Sequence, residues 1–283
     1  QQYSVILIDH IKMVPFAQRI LPKLQGNVRL RMHNDEAQYY ASLSRRERGC
    51  LRASVLRLES VKYSRYQKKV LTSRMVRRVY YISREDQIRL SKANGPPGIV
   101  LPVVADVVKA ADLGTPFSGR TIDFIYVGNL DIEENLKGIK SALQFLESNG
   151  VRVDVALICG RCTEAERQRV VLEELVAFSF CEVKFNIPRL ELYDLYQKAK
   201  FFLNFATAMG GVKTKLIDAL AQGLVVITNE LGVRGSGLEE ACIIASKTTI
   251  PLISSALVVE AEYEQLRAAS TAALGRYAMH VRS

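Results

Sequence analysis

From Ile122 to Thr228 the chain repeats one rhythm: a short apolar run, a polar turn, then a segment with apolar residues three or four apart. Apolar runs at Ile122–Val127, Val151–Ile158, Glu182–Ile187, Phe201–Phe205 and Leu224–Thr228 predict strands. Between them, Glu134–Asn149 carries Leu136, Ile139, Leu143 and Leu146 on one helical face, and Gly150 stops it. Thr163 is placed to cap a helix containing Val170, Leu172, Leu175 and Val176. Glu191–Ala199 and Thr214–Gln222 predict two more helices. Strands alternating with helices mean a parallel sheet covered on both faces, with ligands bound at the carboxyl ends of its strands.

The first half alternates less cleanly. Strands are predicted at Val5–Ile8, Val28–Met32, Val79–Ile82 and Ile99–Val104, with a short helix or turn over Ile11–Leu24. A long basic helical stretch runs from about Glu36 to Met75. Leu51, Val55, Leu58 and Val61 have the spacing of an amphipathic helix, interleaved with Arg52, Arg57 and Lys62 and followed by Arg65, Lys68 and Lys69. Ser83 is a candidate cap for the helix that follows, and Asn94–Gly98 breaks regular structure. Residues 106–120 contain Gly114, Pro116 and Gly119, so the domains are expected at 1–118 and 119–283. The chain opens without a methionine in a strand-like run, so upstream residues are expected to be missing.

Charge separates the two halves. Residues 1–118 hold 21 Lys/Arg against 9 Asp/Glu, a net of +12; residues 119–283 hold 18 against 20, a net of −2. The first domain thus carries its own field and suits anionic partners. No run is long and apolar enough to span a bilayer. Five dispersed cysteines do not read as a disulfide framework. Cys159 and Cys162 have redox spacing, but the bland reading, a buried cysteine at a strand end, is the better supported. Nothing has metal-ligand spacing, so no metal is expected.

The most informative segment is Asn204–Lys215, between a strand and a helix. Gly210-Gly211 permits close backbone approach, the amides opening the helix at Thr214 favour an anion, and Lys213 and Lys215 add charge where a diphosphate would sit. A tight turn with exposed lysines is the bland alternative. Asp218, one turn after Thr214, is either a ribose partner or a surface acid. Gly128-Asn129 and Gly160-Arg161 close neighbouring strands; Arg161 could clamp a phosphate or simply cap a helix approach. Gly232, Gly235 and Gly237 with Arg234 suit a ligand-wrapping or a surface loop. In the first half, Arg31-Met32-His33-Asn34-Asp35-Glu36 ends a strand in polar residues, and His33 reads as structural or catalytic.

These segments resemble bacterial family 4-like glycosyltransferases. Arg31–Glu36 with Tyr39-Tyr40 resembles their "R-x-H-N-x-E" region, and Phe124–Leu130 with Asn135 resembles the opening of their donor domain. Gly211–Val226 resembles their "G-x-K-x-K-x-x-E-A-x-A-x-G-x-P-V-V" block. The resemblance covers roughly residues 28–240. It implies an α/β fold of two Rossmann-like domains facing across a cleft (GT-B), with the N-terminal, acceptor-side domain reading as incomplete. It implies transfer of a sugar, with retention, from a nucleoside diphosphate sugar to a glycan or lipid-linked acceptor. Lys213 and its loop would neutralise the diphosphate, Asp218 would take the family's second Glu role at the ribose, and His33 would face the transferred sugar. Gly128, Asn129, Arg161, Gly210, Gly211, Thr214 and Lys215 would complete the donor site, and Arg31, Asn34 and Glu36 the acceptor side of the cleft. Gly210 stands where the family's first Glu would be.

The implied setting is cytoplasmic polysaccharide or cell-envelope glycan biosynthesis, with no cofactor besides the donor substrate. The basic half suits peripheral contact with an anionic membrane. No nucleic acid is expected, because no basic platform laced with aromatics is present. A sugar-nucleotide epimerase of the same fold would be marked by a carboxylate–histidine arrangement, with His33 its candidate. A catalytically weak donor-binding subunit would bind nucleotide without transfer.

Overall fold

The computed structural model describes residues 4–20, 28–91, 95–103 and 115–282. By contacts the chain divides into two units: Gln1–Val103 with Ala208–Val212, and Val104–Thr207 with Lys213–Ser283. Parts of several predicted segments, residues 21–24, 94, 104 and 106–114, lie outside the described residues.

The first unit is built on a four-stranded parallel sheet in sequential order: β1 (Ile6–Asp9), β2 (Val28–Met32), β3 (Val76–Tyr81) and β4 (Gly98–Val100). Helix α1 (Val14–Ile20) follows β1, α2 (Glu36–Arg46) and α3 (Cys50–Leu71) lie between β2 and β3, and α4 (Arg84–Leu90) precedes β4. Ile8, Val28, Leu30, Met32, Val70, Leu71, Val79 and Tyr81 form its core. Ser83 caps α4, accepting from the Asp86 amide at 3.0 Å. Asp35 caps α2 and, buried, also accepts from Gln67 and pairs with Arg89 at 2.9 Å.

The predicted basic stretch is two helices, broken at Glu47–Gly49 where the Glu47 side chain takes the Gly49 amide. The apolar spacing in α3 marks a helix but not its buried face. Leu51 is 82% and Leu58 69% exposed. The inner face is held instead by polar bonds: Ser60 donates to the Ala37 carbonyl at 2.8 Å, and Gln67 takes the Ala37 amide at 2.9 Å.

The second unit carries a six-stranded parallel sheet: β5 (Ile122–Asn129), β6 (Ala156–Arg161), β7 (Cys181–Phe185), β8 (Ala199–Asn204), β9 (Val225–Thr228) and β10 (Cys242–Ile244). The spatial order β7-β6-β5-β8-β9-β10 is that of a dinucleotide-binding Rossmann sheet, whose strand order reverses between β5 and β8. Helices α5 (Glu133–Ser148), α6 (Ala165–Leu175), α7 (Arg189–Lys198), α8 (Thr214–Ala221) and α9 (Glu230–Val233) connect the strands, and α10 (Ile250–Val258) and α11 (Glu260–Arg282) follow them. Phe124, Leu136, Ile139, Leu143, Phe201 and Leu203 are central to its core.

Three expectations need correction. The strand predicted at Val151–Ile158 begins only at Ala156, because the Asp123 carboxylate binds the amides of Asp154 and Val155 that a ladder would need. Thr163 does not cap α6. Its amide and hydroxyl go to Asp131, tying the loops after β5 and β6 together. The strand predicted at Ile99–Val104 is likewise shorter, β4 ending at Val100; with these differences the alternation of strands and helices gives an α/β fold of two parallel sheets.

Candidate functional site

In an open parallel sheet, chain connections leave in opposite directions at the strand-order reversal, opening a crevice at the carboxyl ends. Here that point lies between β5 and β8. Beta5 ends in Gly128-Asn129, and β8 leads by Phe205–Val212 into α8. Period-two alternation puts Tyr126 and Gly128 on one face. A Cβ on Gly128 would collide with the Tyr126 hydroxyl, so the glycine makes room for that ring. On the neighbouring strand, a Cβ on Gly160 would lie 2.6 Å from the Gly128 carbonyl oxygen.

Lys215, in the first turn of α8, fills this corner. Its Nζ donates to the Tyr126 hydroxyl at 2.8 Å and lies 4.3 Å from the centre of the Tyr126 ring. Its other contact is Asn135 Oδ1 at 3.5 Å, and Asn135 in turn donates to the Asn129 carbonyl. Lys213 is the residue before the helix and makes no ion pair among the described residues. Both lysines are half-buried. Burial lowers the pKa of both; for Lys215, Lys213 pushes further in the same direction, to about 7. Two cations at a helix N-terminus, where the helix dipole is itself positive, form an electrostatic hole for an anion.

The other predicted donor residues take varied places. Thr214 opens α8 and is exposed. Asp218 is exposed on the same helix; partial desolvation raises its pKa and Arg189 draws it back. Arg161 ends β6 in register with Asn129, and is exposed. Asn129 uses its side chain locally, accepting from the Asp131 amide at 2.9 Å. Of the glycines after β9, Gly235 and Gly237 lie in a turn with positive φ, whereas Gly232 does not belong to that loop. Gly232 lies within α9, packed on the Asn204 carbonyl, and its amide goes to Asn229. Beside them Glu230, Leu231, Val233, Arg234, Glu239 and Ile244 line a cavity of about 440 Å³, which includes neither lysine.

Gly210 and Gly211 belong by contacts to the first unit, within Ala208–Val212. The Met209 amide donates to Ser42 Oγ at 3.0 Å, and a Cβ on Gly211 would strike the His33 carbonyl. The glycine therefore serves a close backbone approach, to the β2–α2 junction.

At that junction the charges are paired. His33 Nε2 lies 2.6 Å from Asp9 Oδ1, and Arg31 stands 3.8 Å from the same oxygen. The hydrogen bond from His33 lowers the Asp9 pKa. Glu36 is buried and committed to Lys12 at 2.7 Å and His10 at 3.3 Å. Asn34 is half-buried beside Gly211. His10 has φ 121°, a region costly for any residue with a Cβ, and its ring accepts from the Lys12 amide. Sequence reading found His33 but not Asp9, His10 or Lys12; the available signal was the abrupt change from Ile6-Leu7-Ile8 to Asp9-His10 at a strand end. Tyr126 was hidden inside an apolar run.

Among the described residues no three His, Cys, Asp or Glu side chains gather as a metal site, and no helix is long and apolar enough to cross a membrane.

The fold is shared with solved glycosyltransferases of the GT-B type. Sucrose-phosphate synthase from Thermosynechococcus elongatus is similar with a TM-score of 0.69 at 14% identity, over 97% of this chain and 69% of that one. Trehalose 6-phosphate synthase from Burkholderia multivorans gives 0.62 at 12% identity, over 98% and 69%. The pneumococcal O-GlcNAc transferase GtfA, in complex with UDP and GlcNAc, gives 0.56 at 13% identity, over 98% and 56%. An uncharacterized 44.6 kDa protein in the cps region of Klebsiella pneumoniae is 25% identical over 218 residues, 75% of this chain and 53% of that protein. The chain thus spans about half the length of that relative. No family model matches.

Proposed function

We propose that the chain binds a nucleoside diphosphate sugar and acts in sugar transfer from it to a glycan or lipid-linked acceptor. The observation that carries this reading is the pair Lys213 and Lys215 at the strand-order reversal, half-buried and without a carboxylate partner among the described residues. A diphosphate supplies the missing negative charge. Transfer breaks the bond from the anomeric carbon to the β-phosphate oxygen, whose electron pair leaves with the diphosphate, and forms a bond from that carbon to an acceptor hydroxyl oxygen, whose proton is released to the diphosphate or to water. Cations fixed where that charge develops lower the barrier. The likeness to GtfA, solved with UDP and GlcNAc, supports a nucleotide-sugar donor. From the family resemblance, Asp218 meets the ribose, His33 meets the transferred sugar, and configuration is retained.

A thermal-shift panel of UDP-, GDP- and ADP-sugars tests the reading, because a ligand of the folded state raises the apparent Tm. At least one is expected to stabilise the wild type and to lose that effect in Lys213→Ala. A panel with no response would reject it. Incubating the stabilising sugar nucleotide with glycan and lipid-linked acceptors then separates the activities. Glycosylated acceptor plus free nucleoside diphosphate is expected. Epimerised sugar nucleotide formed without acceptor would instead assign the Asp9–His33 pair to epimerase chemistry.

A further inference from the structure

Helix α3 presents one uninterrupted stripe to solvent: Leu51, Val55 and Leu58, then Lys62, Arg65 and Lys69. The spacing of four, three, four, three and four residues keeps all six on one side. All six are exposed, Leu51, Val55 and Leu58 by 82, 51 and 69%. The opposite side is fastened inward by Ser60 and Gln67, so rolling the helix to hide the apolar stripe would break those bonds. Residues 45–69 contain nine Lys/Arg and two Asp/Glu, a net of +7, so the stripe sits in a strongly positive field.

We infer that the α3 stripe docks the protein on an anionic lipid surface. Three exposed apolar side chains in line can enter the boundary between headgroups and acyl chains. The long stems of Lys62, Arg65 and Lys69 can lie along that boundary with their charges among lipid phosphates. Charge complementarity selects this occupant. A second copy would bring the same +7 against itself, whereas an anionic bilayer supplies both the apolar layer and the opposite charge. The inference is independent of the nucleotide-sugar reading.

The test is co-sedimentation of the full chain with vesicles of mixed phosphatidylcholine and phosphatidylglycerol, with pure phosphatidylcholine as the control. Binding only to the anionic vesicles, weakened by salt, is expected. At about 1 kcal/mol per basic residue near the surface, the triple change Lys62→Gln, Arg65→Gln and Lys69→Gln should lower partitioning on the order of a hundredfold. Leu51→Ser, Val55→Ser and Leu58→Ser together should lower it at least about tenfold. Arg152→Gln with Arg169→Gln, exposed on the second unit, should leave it unchanged. Cys50 is exposed beside Leu51, while Cys162 is buried with its pKa raised and burial holds Cys159, Cys181 and Cys242 near pKa 12, so a thiol-reactive environment-sensitive dye reports on this helix. Its emission should shift to the blue on anionic vesicles. Equal binding to neutral vesicles, wild-type binding by either triple variant, or an unshifted dye would overturn the inference. Self-association that buries Cys50 without lipid would overturn it in favour of a second copy.

Discussion

The two ends of strands β5 and β8 treat a lysine in opposite ways. At the amino ends, Lys200 Nζ meets Asp123 Oδ1 at 3.0 Å and the Leu257 carbonyl at 2.9 Å, while the other Asp123 oxygen holds backbone amides. At the carboxyl ends, Lys215 has a tyrosine hydroxyl and an asparagine oxygen but, among the described residues, no carboxylate. Both side chains are withdrawn from water, yet among the described residues only Lys200 is paired with a carboxylate. A buried charge without a partner is costly. Asp123 meets that cost at one end; at the other, where parallel sheets bind ligands, no described carboxylate does, and burial lowers the Lys215 pKa instead. The difference separates a lysine that holds strands together from one whose charge is open to the proposed anion.

Breaking the paired end should have the largest effect. Lys200→Met strands Asp123 and is expected to cost about 3–5 kcal/mol of stability by denaturant unfolding, with nucleotide affinity kept once the protein is folded. At the other end the expectation reverses. Lys215→Met is expected to leave stability unchanged or raised, and to weaken nucleoside diphosphate binding about 10- to 100-fold, the worth of a charge-assisted hydrogen bond of about 1.5–3 kcal/mol. If both variants lost stability alike, the contrast would be refuted.

Acidity sharpens the same comparison. The Lys215 pKa is lowered to about 7 in the folded protein, against an ordinary value of 10.5. Between those two values the unfolded chain binds more protons, so stability of the free protein should rise as pH increases from 7 towards 10. Diphosphate affinity should move oppositely, falling as Lys215 loses its proton above pH 7. Melting curves and binding isotherms across that range check both slopes.

Smaller effects test the first unit. Gly211→Ala drives a methyl group into the His33 carbonyl and should cost about 1–3 kcal/mol, measured by denaturant unfolding. Leu58→Ala should change stability by no more than about 0.5 kcal/mol, because that residue is exposed. Leu71→Ala, on the same helix but in the core, should cost about 2–5 kcal/mol.

Much of the fold was legible because a parallel sheet buried on both faces writes its strands as apolar runs between helical segments, as at Ile122–Val127 and Phe201–Phe205. The limits have physical causes. Spacing alone could not say which face of α3 turns inward, since Ser60 and Gln67 fix it by hydrogen bonds to residues 23 and 32 positions away. The lysines of the proposed anion site were visible from Gly210–Lys215, whereas the lack of a carboxylate partner among the described residues was not, because a side chain's neighbours come from distant strands. Asp9 meeting His33 across parallel β1 and β2 is of the same kind: strand pairing made the neighbourhood, and local sequence only supplied its members.

Calorimetric titration of a nucleoside diphosphate into the wild type and Lys215→Met, in buffers of differing ionisation enthalpy just above pH 7, examines the unpaired lysine itself. Proton uptake is expected on binding to the wild type, as the diphosphate restores the charge of Lys215, with weaker binding and no such uptake in the variant. Equal affinity in both proteins, with no proton exchanged by either, would contradict it.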